Sequence, residues 1–315
     1  MRYKAYSLIE LLVTISIMLI VLSAVYLTYI SMLKGYKRES AIGGKIIEEQ
    51  IGIEILRKDI TLAGLGLSDN TIPISISGSG DNITLTLYST QSPSSDKTQG
   101  YIMLRFDNAT NSWNNISDQR VDKTNNNLIV LDGYRKKWTK GTLSSGNISQ
   151  TSPYPNNNHI AFGYPLINLT NDYETIEYKI GGTPPARCNP STKNLIRGTI
   201  PILNCVKGFK VYLGADTNND GSADSYYDNM SVAAFDNVTK IYNNLQTISI
   251  FILTHDGGKD NSFNFGGNSI TFADSEIGEN IVFSLNGVTD YQNYRWKVLK
   301  VSGRAVNIRG VNFSE

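Results

Sequence analysis

The sequence predicts an α+β protein in which one long N-terminal helix precedes a large antiparallel β-rich domain. An apolar run without a charged residue extends from Leu11 to Leu33, and apolar residues at helical spacing continue as far as Ile60. From residue 67 the pattern changes to the period of two that is typical of strands. Because only strands follow the helix, we expect the sheet to pack against it.

The apolar run is long enough to cross a membrane. As a helix that rises ~1.5 Å per residue, Leu11 to Leu33 reaches ~35 Å, which exceeds the ~30 Å hydrocarbon core of a bilayer. Glu10 stands at the start of this run, where an unpaired carboxylate is costly, so it is a candidate functional residue. A secretory signal peptide is the alternative, but its apolar region is shorter, about 7–15 residues.

The N-terminus resembles the type III signal of type IV prepilins. The resemblance rests on the leader Met1-Arg2-Tyr3-Lys4-Ala5, on Tyr6 and Ser7, and on the sequence Leu8-Ile9-Glu10-Leu11-Leu12. It implies that prepilin peptidase cleaves between Ala5 and Tyr6 and methylates the new terminus, with Ala5 in a position usually occupied by glycine. The implied organisation is a leader (1–5), a transmembrane and filament-core helix (6–33), an amphipathic continuation (34–66) and a β-rich extracytoplasmic domain (67–315).

Charge pairing explains how Glu10 would act in such a protein. The amino group of a cleaved Tyr6 is cationic at neutral pH, whereas Glu10 is anionic. Paired charges in or beside hydrocarbon cost much less than single ones. In the family this pair forms between subunits and sets their register as they enter a filament. The four-residue spacing also permits a pair within one chain.

Further segments resemble minor pilins of the PilW type. These segments are Leu56–Ile60, 176–182, 195–197, 200–206, 214–228 and 306–311. The resemblance implies a subunit that initiates or caps a filament. Its partners would be other pilins, prepilin peptidase, the inner-membrane assembly platform and, before assembly, membrane lipid. The location would be the inner membrane and then an extracellular or periplasmic pilus or pseudopilus. A type II secretion pseudopilin and a membrane-anchored adhesin are the alternatives.

Charge and motifs argue against two other classes of protein. The sequence has 29 basic and 28 acidic residues, and loss of Arg2 and Lys4 with the leader leaves it close to neutral. No basic field indicates a nucleic-acid partner. The sequence contains neither a G-x-S-x-G elbow nor a P-loop, so an enzymatic activity is not expected.

Cys188 and Cys205 are the two cysteines of the chain. In an oxidising compartment a disulfide between them would close a loop of ~17 residues and stabilise the fold by roughly 3 kcal/mol. Two separate thiols are the alternative. His159 and His255 do not have the spacing of metal ligands relative to these cysteines.

The segment from Asp216 to Asp224 has the pattern of a Ca²⁺-binding loop. Oxygen-bearing side chains occupy positions one, three, five and nine, namely Asp216, Asn218, Asp220 and Asp224. Gly221 at position six permits a sharp turn, and Ser222 at position seven offers its backbone carbonyl. Tyr227 replaces the glutamate expected at position twelve, and a strand precedes the loop, so this is not a helix-flanked EF-hand. A solvated Asp/Asn/Gly turn is the alternative.

Two apolar rows continue along the helix beyond the membrane run. Ile42, Ile46, Ile53, Leu56 and Ile60 share one face, and Ile47, Ile51 and Ile55 share another. We expect one row to pack under the chain's own sheet and the other to pack against neighbouring helices. Glycines, including Gly52, indicate places where the helix bends or weakens. The sequence Gly64-Leu65-Gly66 is expected to end it.

Period-two patterns locate the strands of the β-rich domain. Predicted strands are 82–88, 101–106, 128–131, 159–162, 175–180, 206–213, 247–253, 269–272, 281–285 and 296–301, with 305–308 closing the sheet. The polar segments 91–100, 107–119 and 143–158 are interpreted as exposed loops.

Overall fold

A computed structural model describes residues 8–90, 100–117 and 127–308 of the chain. Ala5, Tyr6 and almost all of the expected loop at 91–100 lie outside these residues, as does the side chain of Ile42. The chain divides into two compact units, residues 1–48 and residues 49–315. Helix α1 runs from Leu8 to Leu62, so it forms the described part of the first unit and begins the second.

The remaining elements are mainly strands. In chain order they are β1 (Ile74–Ser79), β2 (Asn82–Ser89), β3 (Ile102–Asp107), β4 (Ser112–Ser117), β5 (Asn127–Leu131), β6 (Lys137–Thr142), β7 (Asn147–Ser149), β8 (Ile160–Pro165), β9 (Glu174–Gly181), β10 (Lys193–Arg197), β11 (Ile200–Ala215), β12 (Ser225–Tyr227), α2 (Val238–Asn244), β13 (Leu245–Asp256), β14 (Ser269–Ala273), β15 (Asn280–Ser284) and β16 (Arg295–Arg304). A single 3-10 turn at Tyr291–Asn293 precedes β16.

An eight-stranded sheet forms the framework of residues 49–315. Its strand order is β1-β2-β9-β10-β11-β13-β16, and β12 pairs with β11. The pairings are antiparallel except for one parallel bridge between Phe209 on β11 and Asn82 on β2. The predicted α+β class, with a long N-terminal apolar helix and a mostly antiparallel β-rich domain, is therefore confirmed.

The sheet is buried on both faces along its central strands. Leu56 and Ile60 of α1 are fully buried against one face, in a core shared with alternate residues of β13. The intervening residues of β13, Phe251 and Leu253, face the opposite side. There they pack against the hairpin β14-β15, to which Phe283 belongs. This alternation follows from the period of two along a strand.

Glycine allows α1 to approach the sheet closely. A Cβ added at Gly52 would lie 2.7 Å from the carbonyl oxygen of Ile202 on β11. A Cβ added at Gly303 on β16 would lie 2.7 Å from Cγ2 of Ile60. Helix α1 is unbroken at Gly52, so this residue permits tight packing and does not end or interrupt the helix.

The chain between β2 and β9 forms a second, six-stranded sheet with the order β6-β5-β8-β3-β4-β7. Its two edge strands meet, because Thr139 Oγ1 donates to the Ser149 carbonyl at 3.5 Å and Gln150 Nε2 donates to the Trp138 carbonyl at 3.2 Å. This sheet has its own apolar core, which contains Ile102, Leu104, Phe106, Trp113, Leu128, Val130, Ile148 and Ala161.

The ten main predicted strands all overlap observed strands, most of them to within about three residues, although the longest, β11, begins at Ile200 and not at 206. Three further interpretations were wrong. The expected loops at 107–119 and 143–158 contain β4 and β7, respectively. In β4 only Trp113 and Ile116 are apolar, so the alternation of apolar and polar residues that marks a strand is missing. The segment 305–308 is a turn and not a closing strand, although Ala305 and Ile308 are buried.

We predict that Gly52→Ala destabilises the protein even though alanine favours helices. The added methyl group collides with β11, and such overpacking typically costs about 1–3 kcal/mol. Gly44→Ala is the matched control, because no heavy atom lies within 4 Å of a Cβ at that position. It should stabilise the helix by up to ~1 kcal/mol. Thermal melts of both full-length variants, followed by helical circular dichroism, test this; equal shifts would contradict the packing role of Gly52.

Candidate functional site

The first segment of α1 is an apolar rod. Leu8–Leu33 comprises 26 residues, is long and apolar enough to cross a membrane, and has no buried residue in its most apolar stretch. Several hydroxyl groups within it are satisfied locally; for example, Ser16 Oγ donates to the Leu12 carbonyl at 2.9 Å and Thr28 Oγ1 to the Ala24 carbonyl at 2.9 Å. An exposed apolar surface of this length fits a bilayer or contact with other apolar helices.

Glu10 is the one charged residue of this segment. It lies in the first turn of α1, where the helix dipole favours an anion. The next basic residue along the chain is Lys34, about 24 residues and roughly 36 Å further along the helix. A cationic partner for Glu10 must therefore come from the chain's own N-terminal residues or from another molecule. Ala5 and Tyr6 lie outside the described residues.

The second half of α1 carries a buried acid of its own. Asp59 is 1% exposed and accepts a hydrogen bond from Nε of Arg197 at 2.6 Å. The hydroxyl group of Tyr178 also donates to Asp59. Burial, together with the adjacent carboxylate, raises the pKa of Tyr178, so this hydroxyl remains a donor. In the sequence, Asp59 is marked only as an acid on an otherwise apolar helical face.

A second ion-pair cluster joins α1 to the edge of the main sheet. Lys297 Nζ on β16 lies 2.7 Å from Oε2 of Glu49 and 2.7 Å from Oδ1 of Asp256. Although burial opposes it, hydrogen bonding to the two carboxylates raises the pKa of Lys297 and keeps it cationic. Together with Asp59, this cluster attaches residues 49–62 of α1 to strands from both halves of the sheet.

The two predicted apolar rows of α1 separate only in part within residues 49–62. Ile53, Leu56 and Ile60 pack into the core beneath the sheet. Ile51, in the other row, is 56% exposed. Ile55 of the same row, however, packs against the core, so only Ile51 of this row is left as an exposed apolar side chain within residues 49–62.

The predicted disulfide is confirmed. Cys188 and Cys205 are bonded, with their Cα atoms 5.0 Å apart and both residues buried. Cys205 has a φ of +60°, an uncommon backbone conformation for a residue that is not glycine. The bond thereby anchors the segment before β10 to an irregular part of β11.

His255 lies beside this disulfide, which the sequence spacing did not reveal. Its ligand nitrogen and the two sulfur atoms all lie within 4.8 Å of one another. The antiparallel pairing of Val206 with Thr254 brings them together across β11 and β13. Oxidised sulfurs do not act as thiolate ligands. In this state His255 Nε2 accepts a hydrogen bond from the backbone of Asn189 at 3.0 Å and serves in packing the loop.

The candidate calcium loop connects β11 to β12, which pair at Ala215 and Ser225. Asp216 is fully buried and accepts hydrogen bonds from the Asp220 and Gly221 backbone at 3.2 and 2.9 Å, and from Gln246 Nε2 at 3.0 Å. Gly221 has a φ of +91°, in agreement with its expected role in the turn. The first position of the loop is therefore rigidly placed.

The remaining side chains of the loop have the correct chemistry but stand apart. Asp224 accepts a 2.8 Å hydrogen bond from the Thr217 backbone, and this bond lowers the pKa of its carboxyl group. Asp220 accepts a hydrogen bond from the backbone of Ser222 at 2.8 Å. Within the described residues, the group of three His, Cys, Asp or Glu ligand atoms that meets within 4.8 Å is the one at the disulfide, not these aspartates. The loop fits Ca²⁺ by its oxygen donors, and an ion would compete with its internal hydrogen bonds.

Comparison with known proteins identifies the N-terminal segment. Residues 1–26 match the family described as "Prokaryotic N-terminal methylation motif". No curated protein sequence matches the chain significantly. Among solved structures, the type IV-like pilin TTHA1219 from Thermus thermophilus is similar over 84% of this chain and 97% of that chain, with 8% identity and a TM-score of 0.37. By its methylation motif, the chain is type IV prepilin-like at its N-terminus.

We predict that Asp59→Asn strongly destabilises the fold. The change leaves the Arg197 charge partly buried without its counter-ion, and breaking such a pair typically costs about 3–5 kcal/mol. Glu54→Gln is the control, because its pair with Arg57 is on the exposed side of the same helix and is worth below ~1 kcal/mol. Chemical denaturation of the full chain, followed by tryptophan fluorescence, distinguishes the two. Similar losses would show that the buried pair has no special role.

Proposed function

We propose that this chain is a subunit of a type IV pilus-like filament with a structural role and no enzymatic activity. The observation that carries the proposal is Glu10, the single charge of an exposed apolar segment, Leu8–Leu33, most of which lies within the methylation motif at residues 1–26. A filament interior resolves both problems of this helix, since neighbouring helices cover the apolar surface and a neighbouring N-terminus neutralises the acid.

Processing supplies the cation in this proposal. Prepilin peptidase cleaves between Ala5 and Tyr6 in the inner membrane and methylates the new amino group, which stays cationic. A subunit whose Tyr6 amine meets Glu10 of its neighbour is held at one axial position, because a shift along the helix would separate the charges in hydrocarbon. The β-rich domain then lies outside the cytoplasm, where the disulfide forms.

Within a filament, we assign the chain to the minor subunits of the PilW type that initiate or cap assembly. Its length of 315 residues and the additional six-stranded sheet favour a subunit used in few copies over one repeated thousands of times. The inner-membrane assembly platform and other pilins are its partners. A pseudopilin of a type II secretion system has the same requirements and is the nearest alternative.

A membrane-anchored binding module is a second candidate function. The six-stranded sheet favours it, because this sheet has a core of its own and is not needed to cover α1. In that case the apolar helix serves only as a membrane anchor, and Glu10 does not pair with the N-terminus of a neighbouring subunit.

The calcium loop is a separate proposal. We assign Ca²⁺ to Asp216, Asn218, Asp220, Asp224 and the Ser222 carbonyl, with the buried Asp216 as the fixed position. A cation of this kind would stiffen the hairpin between β11 and β12 and neutralise its carboxylates.

We predict that Glu10→Ala abolishes incorporation into surface filaments while the protein stays in the membrane. Mass spectrometry of the N-terminus should still find a methylated Tyr6, which shows that processing preceded the block. Glu54→Ala, an exposed acid further along the same helix, is the control and should assemble normally. Normal filaments with loss of adhesion would favour the binding module, and a chain that retains residues 1–5 in filament-forming cells would overturn the proposal.

We predict that Ca²⁺ raises the melting temperature of chelator-treated full-length protein. Ligand at about 100 times its Kd stabilises a fold by ~2.7 kcal/mol. Asp220→Asn should raise the Kd for Ca²⁺ at least about tenfold, since it removes a charged ligand. Asp236→Asn, an exposed acid paired with Lys240 outside the loop, is the matched control. The calcium assignment is rejected if Asp220→Asn and wild type respond equally.

A further inference from the structure

A basic groove lies where the main sheet divides. Strands β2 and β11 touch at Asn82 and Phe209, and β9 and β10 separate them further along. The groove at this fork has a volume of about 330 Å³ and is lined by three lysines, Lys179, Lys193 and Lys207. No carboxylate is among its lining residues. In a chain with 29 basic and 28 acidic residues, this is a local concentration of positive charge.

The lysines of the groove differ in their partners. Lys179 is paired with Glu177 on the same strand. Lys193 and Lys207 form no ion pair within the described part of the chain. A bound anion would therefore meet two lysines without having to displace a carboxylate from either of them.

Irregular backbone directs two of these side chains. Between Val206 and Gly208 the pairing of β11 with β13 shifts, so Lys207 is an extra residue in a β-bulge. The pairing of β10 with β11 also shifts beside Lys193. The positive φ of Cys205, two residues before Lys207, lies in the same stretch. Bulges commonly re-aim a side chain beside a functional site, and strained backbone is concentrated at such sites.

The uncharged lining residues add hydrogen-bond donors. Asn82, Thr84 and Ser191 contribute amide or hydroxyl groups to the groove. Ser191 Oγ accepts a hydrogen bond from the Thr289 backbone at 3.2 Å, so its own proton is available to a ligand. Lysines surrounded by neutral donors are suited to phosphate-type oxyanions, which accept several charge-assisted hydrogen bonds at once.

We propose that this groove binds a multivalent oxyanion of the phosphate or sulfate type, held by Lys193 and Lys207 with Lys179 in support. The site is independent of the filament proposal, because it uses neither α1 nor the calcium loop. The same chemistry is available from a free diphosphate and from sulfate groups displayed on a polymer, so the test must separate these two sources.

Isothermal titration of the full-length protein in detergent with inorganic pyrophosphate tests the site. We expect saturable binding of one pyrophosphate per chain, weaker binding of orthophosphate, and a loss of affinity as salt increases. Lys193→Ala with Lys207→Ala should lower pyrophosphate affinity at least about tenfold. Lys193→Arg with Lys207→Arg retains the charges and should retain most of the binding, which excludes a folding defect as the cause.

Controls separate this site from general attraction to a charged surface. Lys240→Ala with Lys259→Ala removes the same charge elsewhere and should leave affinity unchanged. Dextran sulfate, compared with neutral dextran, reports whether the groove also accepts oxyanions on a polymer; binding of pyrophosphate alone identifies a free ligand. The proposal is overturned if pyrophosphate does not bind, or if both ligands bind equally well after both groove lysines are changed to alanine.

Discussion

The close contact between residues 49–62 of α1 and the main sheet is the constraint on which the rest of the β-rich unit depends. Two glycines let the backbones approach, and the contact leaves little room for larger side chains. The Asp59 carboxylate is buried in this contact and is compensated by Arg197 and Tyr178. Because the sheet occupies one side of the helix, Ile51 on another side stays exposed.

The sequence predicted those features that arise from local periodicity. A charge-free run and a change to period two were sufficient for the helix, the longer strands and the α+β class. The disulfide also followed, since two cysteines in an oxidising compartment have one possible partner each. Strand β4 was not predicted because its polar residues outnumber its apolar ones. The packing role of Gly52 could not be predicted because the sequence does not show which strand lies opposite this residue.

The candidate sites were predictable to different degrees for a physical reason. Glu10 is conspicuous because its surroundings are uniformly apolar, and the calcium loop is contiguous in the chain. Asp59 with Arg197, and the disulfide with His255, are assembled from residues far apart in sequence. Only the register of β11 against β13 brings His255 to Cys205. The basic groove likewise exists only because the sheet divides between β2 and β11.

The way in which the second sheet is inserted has an architectural consequence. The chain leaves the main sheet at Ser89 and returns at Glu174, and these two residues face each other as a registered pair of β2 and β9. A tight turn could therefore bridge the gap that 84 intervening residues now span. Arg135, which donates to the Gly64 carbonyl at 3.0 Å, is a tether of the inserted sheet to the end of α1. The six-stranded sheet could thus be shortened or replaced without a change in the strand order of the main sheet.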